Sequence, residues 1–72
     1  MNRFKLLGKI AEAGHTQKSL AEAIGMSETT LSSRITGKSS FNVDEVLAIC
    51  DALHIEDSAE KAVIFLSEPS QN

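Results

Sequence analysis

Apolar residues recur along this chain at the three- and four-residue spacing of amphipathic helices, and the pattern predicts helices throughout with no strand. Phe4, Leu7, Ile10 and Ala11, flanked by Leu6, predict a first helix over residues 2–13, weakened by Gly8 and stopped at Gly14. Thr16 is a good N-cap for a second helix over 17–24, whose inner face is Leu20, Ala21 and Ile24. Gly25 then takes a left-handed turn, which glycine adopts without steric cost, and Met26 turns inward. Ser27 caps a third helix over 28–36 with Leu31 and Ile35 facing the core, and Glu28 suits the positive end of its dipole.

Residues 37–40, GKSS, form a loop. The next start signal is the clearest in the chain. Asn42 and Glu45 are spaced as a capping box, and Phe41 and Val46 as a hydrophobic staple. Val46, Leu47, Cys50 and Leu53 continue the apolar face of this fourth helix, which ends within residues 54–57. Ser58 can cap a fifth helix over 59–66. Pro69 and the polar residues after it read as a frayed tail, so the expectation is one domain over 1–68 and a tail over 69–72. The fold class is therefore all-α, with five helices.

Composition narrows the function more than the fold. A chain of 72 residues with 42% apolar residues is a single globular domain, not a disordered segment. The lone Cys50 cannot form an internal disulfide and sits at an apolar helical position, which fits a reduced, cytoplasmic setting. No apolar run reaches the roughly 18–20 residues of a membrane span, and the N-terminus reads as an amphipathic helix, not a secretory signal. His15 and His54 lie far apart with no cluster of ligands around them, so no metal site is expected. No nucleophile elbow or triad pattern supports an enzyme, and no cofactor is implied.

The net charge of −3 hides an asymmetry. Residues 1–41 carry Arg3, Lys5, Lys9, Lys18, Arg34 and Lys38 against Glu12, Glu22 and Glu28. Residues 42–72 carry Lys61 alone against Asp44, Glu45, Asp51, Glu56, Asp57, Glu60 and Glu68. The first half can face phosphate; the second would be repelled by it.

Residues 17–36, QKSLAEAIGMSETTLSSRIT, have the layout of a helix-turn-helix, whose second helix enters the DNA major groove. Ser27, Glu28, Thr29, Thr30, Ser32 and Ser33 are too polar for a core. With Gln17, Leu20-Ala21, Ile24-Gly25, Ser27, Leu31 and Gly37-Lys38 in register, followed by FNVDEVLAICDALHI, the chain resembles the phage repressor and Cro-type helix-turn-helix proteins, the XRE-like family. The resemblance spans about residues 4–55 and implies a lambda-repressor-like domain binding double-stranded operator DNA in a bacterial host cell. By it, Glu28, Thr29 and Ser33 match base-reading positions, with Thr30 and Ser32 beside them. Gln17 matches a backbone contact, as does the loop of Lys38, Ser39 and Ser40; Lys18, Ser27 and Arg34 are further backbone candidates.

Two departures qualify the match. Arg34 stands where many members carry an apolar residue, and no Arg, Gln or Asn lies between Ser27 and Ser33. Modest DNA affinity is expected, or a surface that also serves another purpose. The run from Ala62 to Leu66 exceeds the needs of one helix face. Val63, Phe65 and Leu66 are therefore candidates for a dimer or partner interface, the other reading being burial against the first helix. Because the chain ends soon after this unit, the resemblance implies a Cro-type regulator of a lysis–lysogeny switch. The alternative is an antirepressor that binds a co-encoded repressor protein, alone or in a hetero-complex, through the same face.

Overall fold

A computed structural model describes residues 1–66 and is all-α among them. Its five helices are α1 (Arg3–Glu12), α2 (Gln17–Ile24), α3 (Glu28–Ile35), α4 (Val43–Ala52) and α5 (Ser58–Phe65). Helix α2 packs on both α3 and α4, while α5 packs on α1. The backbone N–H of Asn2 donates to the Ile64 carbonyl at 2.7 Å, which ties the two ends of the described chain together. The expected tail over 69–72 lies outside the described residues.

Local signals set most helix starts. Thr16 and Ser19 form a reciprocal capping box at α2, and Asn42 and Glu45 form another at α4. Ser27 accepts from the Thr30 N–H at α3. The fifth start differs from expectation by one residue: Asp57 is the N-cap of α5, accepting from the Ala59 N–H at 2.9 Å, and Ser58 is already helical. Two good capping residues stand side by side there, and the charged one has taken the site, where the dipole adds to the hydrogen bond.

Helix ends share one device. At Gly25, φ is 73°, and the next amide, Met26 N–H, reaches back to Ala21 O at 2.9 Å. This satisfies carbonyls that the helix leaves open and turns the chain sharply into α3. At the end of α4, His54 takes the same left-handed conformation with φ 58°, and Ile55 N–H donates to Cys50 O at 2.8 Å. Burial of Ile55 against the core holds that less comfortable residue in place.

The core consists of Leu6 and Ile10, Leu20 and Ala21, Leu31 and Ile35, Ile49, Cys50 and Leu53, then Ile55 and Ile64. Ala21, small and 1% exposed, sits where α2 meets its neighbours. Two expected faces are rotated. In α1 the buried row is Leu6 and Ile10, while Phe4 is 75% exposed beneath the Arg3 guanidinium, and Ala11 is exposed. In α4, Ile49 is fully buried and Leu47 is largely exposed. Each helix carries two apolar rows at helical spacing, and its tertiary partner selects between them.

Arg34 and Glu45 join α3 to α4. Nε donates to Oε1 at 3.0 Å and Nη2 to Oε2 at 3.2 Å, a two-pronged pair in a half-buried position. Glu45 Oε1 also accepts the Asn42 N–H. Arg34 and this N–H hold the Glu45 carboxyl below the usual carboxylate range. On the opposite side, Lys9 of α1 pairs with Glu60 of α5 and with Glu12. These hydrogen bonds hold the Lys9 ammonium's pKa above its ordinary value.

Two outcomes are expected. Gly25→Ala should cost about 1–2 kcal/mol in urea denaturation, from the left-handed backbone alone, because a Cβ there meets open space. An unchanged midpoint contradicts the turn geometry. Because Glu45 is stabilised as the anion in the fold, its contribution is complete above the unfolded carboxyl pKa and is lost as pH falls through its lower folded pKa. Wild type should therefore exceed Glu45→Gln in stability at neutral pH, with the gap narrowing as pH falls below the ordinary carboxylate range. A gap independent of pH would show that the ion pair contributes no linkage.

Candidate nucleic-acid interface

Leu31 and Ile35 point α3 into the core, so residues 28, 29, 32, 33 and 36 form a stripe on the opposite side. That stripe meets the start of α2 and the loop after α3. Glu28, Thr29, Ser32, Ser33 and Thr36 line one shallow concavity with Gln17 and Lys38. Glu28, Thr29 and Lys38 are exposed, while Ser32, Ser33 and Gln17 are half-buried at its floor and wall. The concavity therefore collects four of the five expected base-reading residues and two of the expected backbone contacts.

The loop is shaped from within. Gly37, at φ 87°, lets Lys38 N–H return to Ser33 O at 3.0 Å, and Ser39 N–H reaches the same carbonyl at 3.3 Å. Lys38 is thereby placed beside the last turn of α3. At the other end, the Thr16 cap takes the Ser19 N–H and leaves the first turn of α2, with Gln17, at the mouth of the concavity. A helix start of this kind favours an anion.

Several expected residues lie elsewhere. Thr30 was expected on the reading face but sits off the stripe, its hydroxyl accepting from Ser27 Oγ at 2.9 Å. The Ser27 hydroxyl is thus occupied by capping α3, not aimed into the concavity. Arg34 donates inward to Glu45 and, through Nη1, to Ser39 Oγ at 2.7 Å, so its charge is matched internally. Ser40 opens onto the far side of the loop, and Lys18 is exposed on α2 outside the concavity. Thr36 was not singled out from the sequence, although its spacing from Ser32 places it on the stripe. Its hydroxyl turns back to Ser32 O at 2.9 Å.

A second concavity, of about 520 Å³ and mainly apolar, lies between α4 and α5. Phe41, Val43, Val46, Leu47, Phe65 and Leu66 are among its walls. Phe65 is seated by an edge-to-face contact with Phe41, centroids 5.9 Å apart, whereas Leu66 is 75% exposed. Val63 is also exposed. Ile64, between them, is fully buried, so this segment divides its apolar residues between core and surface.

Among the described residues no cluster of His, Cys, Asp or Glu could hold a metal ion. Burial in the core pushes the Cys50 thiol above its ordinary pKa, which makes it a poor nucleophile. His15 is tied to Ser19 Oγ at 2.8 Å. No helix among the described residues is long and apolar enough to cross a membrane.

Comparison with curated proteins and with solved structures finds no match. The helix-turn-helix family profile matches residues 6–58, from the buried Leu6 of α1 to the start of α5. That span contains the turn at Gly25, the polar stripe of α3 and the loop of Lys38, and on this evidence the chain belongs to the helix-turn-helix family of DNA-binding regulatory domains.

Proposed function

We propose that this chain is a sequence-specific transcriptional regulator that occupies operator DNA as a dimer, in the manner of Cro-type proteins of phage lysis–lysogeny switches. The observation that carries the reading is the single concavity in which the stripe of α3 meets Gln17 and Lys38. A major groove is wide enough to admit α3, and Thr and Ser can meet base edges there, the Thr methyl also touching a thymine methyl. Gln17 and Lys38 flank the stripe where the two sugar-phosphate strands would run. The Cro-type role rests on the resemblance in the register of Gln17, Ala21, Gly25 and Leu31. It needs no cofactor, because occupancy of the operator is itself the regulatory act.

With Lys9 and Arg34 paired internally, Lys38 is the cation that lines the concavity, and exposed Lys18 follows Gln17 in α2. Phosphate neutralisation per protomer is then small, and two protomers on one operator supply what one lacks. The groove between α4 and α5, with exposed Leu66 on its wall, is the surface we assign to that pairing. Half-sites would lie about 34 Å apart, one turn of the duplex. One feature favours a second reading. The stripe carries Glu28 and no Arg, Gln or Asn, so it also suits the basic face of a co-encoded repressor. Stable one-to-one association with that repressor, without DNA binding by the chain alone, would establish the second reading over the first.

Thr29→Ala should relax base preference at one operator position by about 1 kcal/mol. Lys38→Ala should instead weaken binding to all sequences and lower the salt slope by about 1. Uniform loss from both changes, in a salt-titrated gel shift, contradicts this division. Leu66→Asp should halve the sedimentation mass while leaving the circular dichroism intact, because Leu66 is not part of the core. An unchanged mass would remove the α5 end from the interface.

A further inference from the structure

Ser33 faces the concavity, and its hydroxyl belongs to a chain of hydrogen bonds that starts well behind it. Ser33 Oγ lies 3.1 Å from Ser39 Oγ. Arg34 Nη1 donates to Ser39 Oγ at 2.7 Å. The guanidinium is fixed by both oxygens of Glu45, and Glu45 by the Asn42 N–H.

The charge on Arg34 favours one direction for the protons. A guanidinium only donates, so Ser39 Oγ is an acceptor toward Arg34. Either hydroxyl can be the donor across the 3.1 Å contact, because Ser39 Oγ keeps a second lone pair, but a Ser39 O–H polarised by the Arg34 charge is the better donor, toward Ser33 Oγ. The charge of Arg34 strengthens that second bond, since hydrogen bonds in series polarise one another. In that arrangement Ser33 Oγ accepts, and its own hydrogen is the free end of the chain.

We propose that Arg34 and Ser39 act as positioning residues that fix Ser33 as a hydrogen-bond donor toward the base it meets, resting on the DNA-binding reading above. A serine whose hydroxyl rotates freely can donate or accept and so discriminates weakly. A serine held as a donor selects an acceptor edge: N7 or O6 of guanine, N7 of adenine or O4 of thymine. It rejects cytosine, whose major-groove edge offers only the N4 amino donor. The departure at Arg34, unexplained as a phosphate contact, thereby acquires a role in specificity.

Selection of binding sites from a pool of random duplexes, followed by affinity measurement, tests this. Ser33→Ala should abolish preference at one base pair. Ser39→Ala should abolish the preference at that same pair, about fivefold, although Ser33 is intact, and the double variant should lose no more. Ser39→Thr, which keeps the hydroxyl, should restore it. Equal thermal unfolding of the two Ser39 variants separates proton direction from folding. Retained preference in Ser39→Ala, or loss at a different pair, overturns the relay alone. Failure of the wild-type chain to select any sequence overturns the DNA reading and the relay with it.

Discussion

A helix of eight residues has two turns with which to hold itself, and α3 does so with Leu31 and Ile35. Both are buried, one turn apart, against a core that includes Leu20, Ala21 and Ile49. Two anchors at that spacing fix the rotation of the helix about its own axis. Every outward residue then has a settled direction: Glu28, Thr29, Ser32 and Ser33 face the concavity, and Thr30 does not. The turn at Gly25 and the small Ala21 bring α2 close enough for Gln17 to reach the same concavity.

Charge is arranged to the same end. Two of the cations in the first half of the chain, Lys9 and Arg34, join helices and face no ligand. The formal balance of charges therefore overstates what is offered to phosphate. The first pair seals α1 to α5; the second seals α3 to the start of α4 and shapes the loop that presents Lys38. Half-buried ion pairs of this kind have value mainly in geometry, since desolvation offsets much of their attraction. The concavity is left with few cations and many hydroxyls, a composition that limits the phosphate contribution to any DNA binding.

What the sequence could reveal divides by range. Caps at Thr16, Ser27 and Asn42 depend on partners three residues away, and the turn at Gly25 on one residue, so all were readable. The stripe of α3 was readable in part: Thr36 follows from spacing, but excluding Thr30 required the rotation set by Leu31 and Ile35. The faces of α1 and α4 were misassigned because each carries two apolar rows, and only packing decides whether Leu6 or Phe4, Ile49 or Leu47, turns inward. Arg34 illustrates the limit most clearly. Its partner Glu45 lies in another helix, and nothing local distinguishes a cation aimed at phosphate from one aimed at the protein's own carboxylate.

The central claim is that the α3 stripe, with Gln17 and Lys38, is the surface that meets DNA. Titration of isotope-labelled protein with a duplex it selects, followed by amide chemical shifts, tests this most directly. The account predicts the largest changes at Gln17, Glu28, Thr29, Ser32, Ser33 and Lys38, with α1 little affected. Changes concentrated in α4 and α5, or none at saturating duplex, would contradict it.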